Sequence, residues 1–345
     1  MKQFGSKASK SLVARYAQSL NWKYGKFQNL EETTMSISFQ TIPKLLYKQF
    51  CERKAREPKE LIPVVPFNKD DFLAPSDKAK IIWYGHSAVL MRIDNKTILI
   101  DPMLGPNASP IAPFATKRYS ENTLELIDDF PDIDLLLMTH DHYDHLDLDS
   151  IKKLIPKVKH YFVALGVGRH LIGWGVEESK ITEFDWWDNQ SFEDISITFT
   201  PSRHFSGRGL TDRAKSLWGG WVFKTPNERI YWSGDGGFGQ HFKEVGERLG
   251  PFDFGMMECG QYDENWHQIH MYPEEAIQAA IDAGVQKAMA VHWAGFALAQ
   301  HTWKDPIERF TAEAIKQNLS ILTPQIGEQF SYPSGPENTW WTKMD

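Results

Sequence analysis

The chain has 345 residues, 41% hydrophobic and 24% charged, the proportions of a soluble globular protein with a sizeable core. Its 38 basic and 45 acidic residues leave a net charge of −7, which excludes a surface built to hold a nucleic-acid backbone. No stretch approaches the roughly 18 consecutive apolar residues of a membrane span, which excludes an integral helical membrane protein.

Two cysteines, Cys51 and Cys259, make no disulfide framework, and the N-terminus carries no apolar signal core. A cytoplasmic setting is therefore expected. Among the first thirty residues are Lys2, Lys7, Lys10, Arg15, Lys23 and Lys26, and no acid precedes Glu31. That segment carries +6 against −13 for the remainder (−7 − 6). Within it Leu12, Tyr16 and Leu20, beside Val13 and Ala17, fall at helical spacing. A lysine-rich helix of this kind lies on an anionic membrane leaflet or packs on the rest of the chain. A second helix is expected over 42–56, where Ile42, Leu45, Leu46 and Phe50 share a face behind Pro43. The Pro-containing stretch 57–78 reads as a connection. The expected organisation is a basic, helical extension over 1–78 and a catalytic domain over 79–345.

From residue 79 the chain alternates short strands with helices. Strands are expected at Lys80–Tyr84, Ala88–Ile93 and Thr97–Ile100, the last two joined by an Asp94-Asn95 turn. Further strands are Leu135–Met138, Tyr161–Ala164, Ser196–Phe199, Trp221–Lys224, Arg229–Trp232 and Ala288–Val291. Helices fall at 149–155, 240–249, 273–283 and 306–317. This mixture specifies an α/β sandwich.

Directly after the strand ending at Met138 comes Thr139-His140-Asp141-His142-Tyr143-Asp144-His145. Three imidazoles and a carboxylate in so short a loop suit a bound cation: zinc by default, with iron or manganese also compatible. In an extended backbone His140 and His142 point the same way and can chelate one ion. Asp144 and His145, around the following turn, can reach a second. A solvated histidine-rich loop is the competing account. Further ligands are expected where later strands end: His204 in Arg203-His204-Phe205-Ser206-Gly207-Arg208, Asp235 in Gly234-Asp235-Gly236-Gly237, and His292 in Val291-His292-Trp293. Each is weak alone; their order makes them a set.

This set resembles the metallo-β-lactamase superfamily, whose fold is an αββα sandwich with a two-metal site at one edge. The resemblance implies that His140, His142 and His204 hold one Zn2+, that Asp144, His145 and His292 hold the other, and that Asp235 bridges them. Two ions that share a water lower its pKa towards neutrality, supplying a bridging hydroxide without a protein nucleophile. A dizinc β-lactamase uses a cysteine in the second site, whereas Cys259 lies outside any ligand motif, so drug hydrolysis is disfavoured.

Longer strings narrow the resemblance. Trp83-Tyr84-Gly85-His86-Ser87, Ile100-Asp101-Pro102, His142-Tyr143-Asp144-His145-Leu146-Asp147, His270-Met271-Tyr272-Pro273-Glu274-Glu275 and His292-Trp293-Ala294-Gly295-Phe296-Ala297 look like the N-acylphosphatidylethanolamine-hydrolysing phospholipase D family. That family cleaves a phosphodiester to phosphatidic acid and an N-acylethanolamine. The resemblance implies a phospholipid or other phosphodiester substrate, with Asp144, Asp235 and His270 in catalysis and Tyr143 and His270 on the substrate; His267 is a rival for His270. Ala294-Gly295, Gly236 and a short Trp266–His270 segment depart from the family pattern and reshape the pocket. The alternatives are a lactonase or cyclic phosphodiesterase on the same site, or a non-enzymatic scaffold. Asp101 is expected to orient a ligand histidine, and His86 either joins it or is a satisfied core histidine. Arg208 holds a phosphate or fixes its loop through a carboxylate. Trp186-Trp187 and Trp340-Trp341 read chiefly as packing.

Overall fold

A computed structural model describes residues 2–36, 43, 47, 51–52, 56–109 and 116–344. The expected helix over 42–56 lies for the most part outside the described residues. In chain order the strands are β1 (Trp22–Lys23), β2 (Lys26–Phe27), β3 (Lys80–Trp83), β4 (Val89–Ile93), β5 (Lys96–Ile100), β6 (Ile133–Met138), β7 (Val158–Ala164) and β8 (Ile181–Phe184). They continue as β9 (Asn189–Phe192), β10 (Ile195–Thr200), β11 (Gly220–Lys224), β12 (Arg229–Trp232), β13 (Phe254–Glu258), β14 (Lys287–Val291), β15 (Ser320–Leu322) and β16 (Gln329–Phe330).

Beside the small β1–β2 hairpin stand two seven-stranded sheets, ordered β16-β3-β4-β5-β6-β7-β8 and β15-β14-β13-β12-β11-β10-β9. Helices cover the outer faces: Leu148–Leu154 and Gly168–Trp174 beside the first sheet, His241–Leu249, Pro273–Asp282 and Asp305–Gln317 beside the second. The fold is thus the expected αββα sandwich. Strands such as β3 and β5 are rich in Ile and Leu and buried on both faces, so they read as continuous apolar runs. Asp94 and Asn95 both take positive φ, 46° and 59°, the geometry of a tight two-residue hairpin turn.

Local signals set the helix starts. Asp147 accepts the Ser150 amide at 2.8 Å and caps Leu148–Leu154 immediately after the histidine loop. Pro273 opens the helix Pro273–Asp282, and Glu275 reaches back to the Tyr272 amide at 2.9 Å. Among the described residues no helix is long and apolar enough to cross a membrane.

The N-terminal helix spans Lys10–Tyr16 and stops short of Leu20, which is 89% exposed. Residues 2–36 lie along the sandwich. The Trp174 indole donates to the Lys2 carbonyl at 2.9 Å, the Ser6 amide donates to His170 at 3.0 Å, and the Phe27 amide donates to the Ala214 carbonyl at 2.9 Å. Trp340 and Trp341 are buried beside Trp293, as packing predicts.

Strands β12, β13 and β14 run parallel, and β10, two antiparallel steps from β12, runs the same way. Their carboxyl ends therefore open on one edge of the sandwich, facing the end of β6. Open α/β sheets place their sites at such carboxyl ends.

Candidate metal centre

The loop after β6 turns back on itself at once. The amides of His145 and Leu146 donate to the His142 carbonyl at 3.2 and 2.8 Å, bringing His145 beside His140 with ring centroids 4.2 Å apart. The loops after β10, β12 and β14 supply His204, Asp235 and His292. Asp235 rests on a turn that only glycine permits. Gly234 has φ +64°, and a Cβ there would stand 2.1 Å from the Gly219 carbonyl oxygen; one at Gly237 would stand 2.0 Å from that of Gln268.

The seven predicted ligands meet in two adjoining groups. His142 Nδ1 lies 3.0 Å from His140 Nε2 and 3.1 Å from His204 Nε2. Asp235 Oδ2 lies 3.0 Å from both His145 Nε2 and His292 Nε2, and 4.0 Å from His140 Nε2, so it faces both groups. Asp144 Oδ2 lies 3.3 Å from His292 Nε2 and 3.7 Å from His145 Nε2. His86, buried, adds Nε2 at 2.8 Å from the same oxygen.

The outward nitrogens are tethered, as in metal-ligating histidines. His145 Nδ1 is 2.9 Å from Asp101 Oδ2, and Asp101 also accepts the Thr139 amide at 2.8 Å and its hydroxyl at 2.6 Å. With its proton committed to Asp101, the Thr139 oxygen accepts from His140 Nδ1 at 2.9 Å. His204 Nδ1 donates to the Ile269 carbonyl at 3.0 Å. His292 Nδ1 stands 3.3 Å from Glu258 Oε1. Such tethers fix the tautomers that turn lone pairs inward, so the donor set fits divalent cations bound through nitrogen and carboxylate oxygen.

Charge divides the two groups. Burial, together with neighbouring imidazoles, holds His140 and His204 well below the usual histidine range. Burial also brings His142 down to about 4. Burial pulls His145 down too, but Asp235, Asp144 and Asp101 outweigh it and raise it to about 10. His292 is likewise raised, burial being outweighed by Asp235 and by hydrogen bonds to carboxylates. Asp144 and Asp235 are held well below the carboxylate range despite burial, chiefly by His145.

A cleft of about 210 Å³ opens on these groups, lined by His142, Asp144, Asp235, His270 and His292 and by the apolar Met35, Phe205, Trp266, Ile269 and Leu298. His270 is in this wall, whereas its rival His267 is exposed and stacked on Tyr272. Tyr143 does not line the cleft. Its hydroxyl donates to the Arg208 carbonyl, its ring lies 4.0 Å beneath the Arg208 guanidinium, and burial raises its pKa to about 12. The Arg208 guanidinium fixes its loop through the carbonyls of Asp141 at 2.7 Å, Leu146 at 2.8 Å and Gln3 at 2.8 Å, and its amide donates to the Asp212 carboxylate at 3.1 Å.

Three further residues support the site without a sequence motif to mark them. Glu258, at the end of β13, accepts from His270 Nδ1 at 2.9 Å. The Asn29 side chain clamps His204, donating to its carbonyl at 2.8 Å and accepting its amide at 3.0 Å. Gln261 takes the Leu298 and Ala299 amides at 2.9 and 3.1 Å and so fixes one cleft wall. Only a buried acid closing an apolar strand could have flagged Glu258; Asn29 and Gln261 carry no local signal.

The chain is similar to known proteins in both sequence and fold. The profile of the β-lactamase superfamily domain matches residues 96–293. An uncharacterized protein of Mycobacterium tuberculosis is 34% identical over 338 residues, covering 96% of this chain and 90% of its own. The N-acyl-phosphatidylethanolamine-hydrolyzing phospholipase D 1 of Caenorhabditis elegans is 31% identical over 285 residues, 77% of this chain and 79% of its own. Igni18, a metallo hydrolase of the archaeon Ignicoccus hospitalis, shares the fold with a TM-score of 0.58 at 19% identity, over 74% of this chain and 99% of that one. The chain belongs to the β-lactamase superfamily and is a metal-dependent hydrolase of that class. Within the superfamily it falls in the branch of the N-acyl-phosphatidylethanolamine-hydrolysing phospholipases D.

Proposed function

We propose that the chain is a dinuclear zinc phosphodiesterase that hydrolyses N-acylphosphatidylethanolamine-like lipids to phosphatidic acid and an N-acylethanolamine. The observation that carries this reading is the cleft itself: two carboxylates and inward-facing imidazoles on one wall, His270 and apolar side chains on the others. Relatives from Caenorhabditis elegans and Saccharomyces cerevisiae named for this reaction support it.

In this reading His140, His142 and His204 would hold one cation and Asp144, His145 and His292 the other, with Asp235 available to both groups. When bound, the cations supply Lewis acidity towards the phosphate oxygens and lower the pKa of water. The chain's own residues do the rest. Asp101, Thr139, Ile269 and Glu258 hold the imidazoles in their ligating tautomers. Met35, Phe205, Ile269 and Leu298 exclude bulk water from the scissile group. A water oxygen bonds to phosphorus, losing one proton to solvent and keeping the other on the new phosphate, as the bond from phosphorus to the leaving hydroxyl oxygen of the N-acylethanolamine breaks, and His270 gives that departing oxygen a proton. The Tyr143 hydroxyl, committed to Arg208, is left out of substrate binding in this mechanism.

Reaching a lipid requires a membrane contact, and exposed apolar residues of the N-terminal segment and of the loop after β10 are the candidates for it. Leu20, Tyr24, Leu30 and Leu210 are exposed, Lys23 and Lys26 lie in the same N-terminal segment, and Lys215 bonds to the hairpin at Gly25. Apolar side chains among lysines suit an anionic leaflet.

The test is mass spectrometry of products formed from N-acylphosphatidylethanolamine in ¹⁸O-water. The expected result is label in phosphatidic acid, lost with chelator. No turnover by protein of measured metal content would overturn the lipid assignment and direct the search to cyclic phosphodiesters and lactones.

A further inference from the structure

Glu258 stands where two imidazoles meet. Its side chain is wholly buried at the end of β13, beside Val291 of β14 and one residue from His292. Oε1 lies 2.9 Å from His270 Nδ1 and 3.3 Å from His292 Nδ1, and Oε2 accepts the Met271 amide at 3.2 Å. The backbone is anchored as well, since the Glu258 amide donates to Ser233 Oγ at 2.9 Å, two residues before Asp235. The rings of His270 and His292 lie nearly parallel, 13° apart at 5.1 Å. A buried carboxylate whose side-chain partners are two histidines is a costly way to fill space that an apolar residue would fill without penalty.

We propose that Glu258 is the positioning residue for proton transfer at His270. Its oxygen engages Nδ1–H, which leaves Nε2 as the nitrogen that serves the cleft. Sharing that oxygen with His292 fixes the His270 ring against the metal wall. The proposal rests on the reading of His270 as proton donor to the leaving oxygen. During the step the P–O bond to the leaving group breaks, its electron pair stays on that oxygen, and the oxygen takes the proton from Nε2. Glu258 keeps hold of Nδ1–H throughout. The His270 proton is restored from solvent after the product leaves.

The experiment compares Glu258→Gln, Glu258→Asp and His270→Ala, each metal-loaded, on two phosphodiesters. One carries the ethanolamide leaving group; the other carries p-nitrophenolate, which departs without a proton. Glu258→Gln should lower kcat on the first by about 10–100-fold, as loss of a supporting carboxylate does. The p-nitrophenyl reaction of the same variant reads what Glu258 does for the His292 tether alone and should fall distinctly less, and Glu258→Asp should recover part of the loss. Adding Glu258→Gln to His270→Ala should cost no more than Glu258→Gln costs the p-nitrophenyl reaction, because the rest of its effect passes through His270. A downfield Nδ1 proton resonance should be present in the wild-type protein and absent from Glu258→Gln and His270→Ala. Equal losses on both substrates, or no loss in Glu258→Gln and Glu258→Asp, would overturn the proposal. Should Glu258→Gln fail to fold, the leaving-group selectivity of Glu258→Asp decides. Full activity of His270→Ala on the ethanolamide would instead remove the parent reading of His270.

Discussion

Asp101 gives the sharpest test of how the second ligand group is held. Substitution by Asn preserves the shape and suits the backbone, because Asp101 has φ 41°, a left-handed conformation that Asn tolerates well. What changes is the donor count. Asp101 accepts three hydrogen bonds, from the Thr139 amide, the Thr139 hydroxyl and His145 Nδ1. An amide oxygen placed on the Thr139 amide turns its NH2 towards Thr139 Oγ and His145. Neutral His145, the form that coordinates, must then carry its one proton not on Nδ1 but on Nε2, the nitrogen 3.0 Å from Asp235, where it blocks ligation. Supporting-residue changes of this kind cost about 10–100-fold in metal affinity, about 1.4–2.7 kcal/mol. The buried donor left over adds about 1–3 kcal/mol of lost stability. Titration against a competing chelator should show one of the two metal-binding steps weakened by that factor and the other unchanged. Two unchanged steps, or two weakened equally, would refute the tautomer argument.

Three further outcomes are expected. Loading the apoprotein with metal at pH 7 should release about two protons, because His145 and His292 are held protonated by neighbouring carboxylates and must give up those protons to coordinate. Calorimetry in buffers of different ionisation enthalpy counts them, and a count of zero would contradict the charge division between the two groups. Gly234→Ala should cost at least about 2 kcal/mol in a denaturant melt, combining left-handed strain with the clash on Gly219, and should weaken metal binding through Asp235; a neutral change would show that the turn is not held by close approach. Tyr24→Ser with Leu210→Ser should lose sedimentation with anionic vesicles and keep turnover of dispersed substrate, whereas unchanged sedimentation would remove this surface from the account.

How legible the molecule is from its sequence depends on what each segment must satisfy. Strands β3 to β6 announce themselves through Ile, Leu and Val and an Asp-Asn turn. Strand β13, Phe254–Glu258, passes unnoticed because Gly and Met have little strand preference; its place comes from pairing with β12 and β14 on either side. Strand β9 lies at a sheet edge and is largely exposed and polar, so no apolar run marks it. The helix Gly168–Trp174 contains two glycines and forms through tertiary packing, with Leu171 and Trp174 buried. At the site, the ligand candidates were readable because metal chemistry restricts residue type and spacing. Tyr143 was read through its place between ligands, yet side-chain direction there is set by Arg208, 65 positions away. Asn29 reaches His204 across 175 positions, a contact that no local pattern encodes.

The two histidine groups each draw on both sheets: His140, His142, Asp144 and His145 from the first, His204, Asp235 and His292 from the second. A cation held by either group is therefore a reversible rivet between the two halves of the sandwich, closing chain loops as a disulfide does. Since the unfolded chain keeps together only the residues of the 140–145 loop, a cation would bind the folded chain more tightly and deepen the native state at the expense of the unfolded one. Catalytic competence and mechanical integrity at this edge are then one property. A cell short of the metal would lose the enzyme by proteolysis as well as by inactivity, and its abundance would follow metal supply.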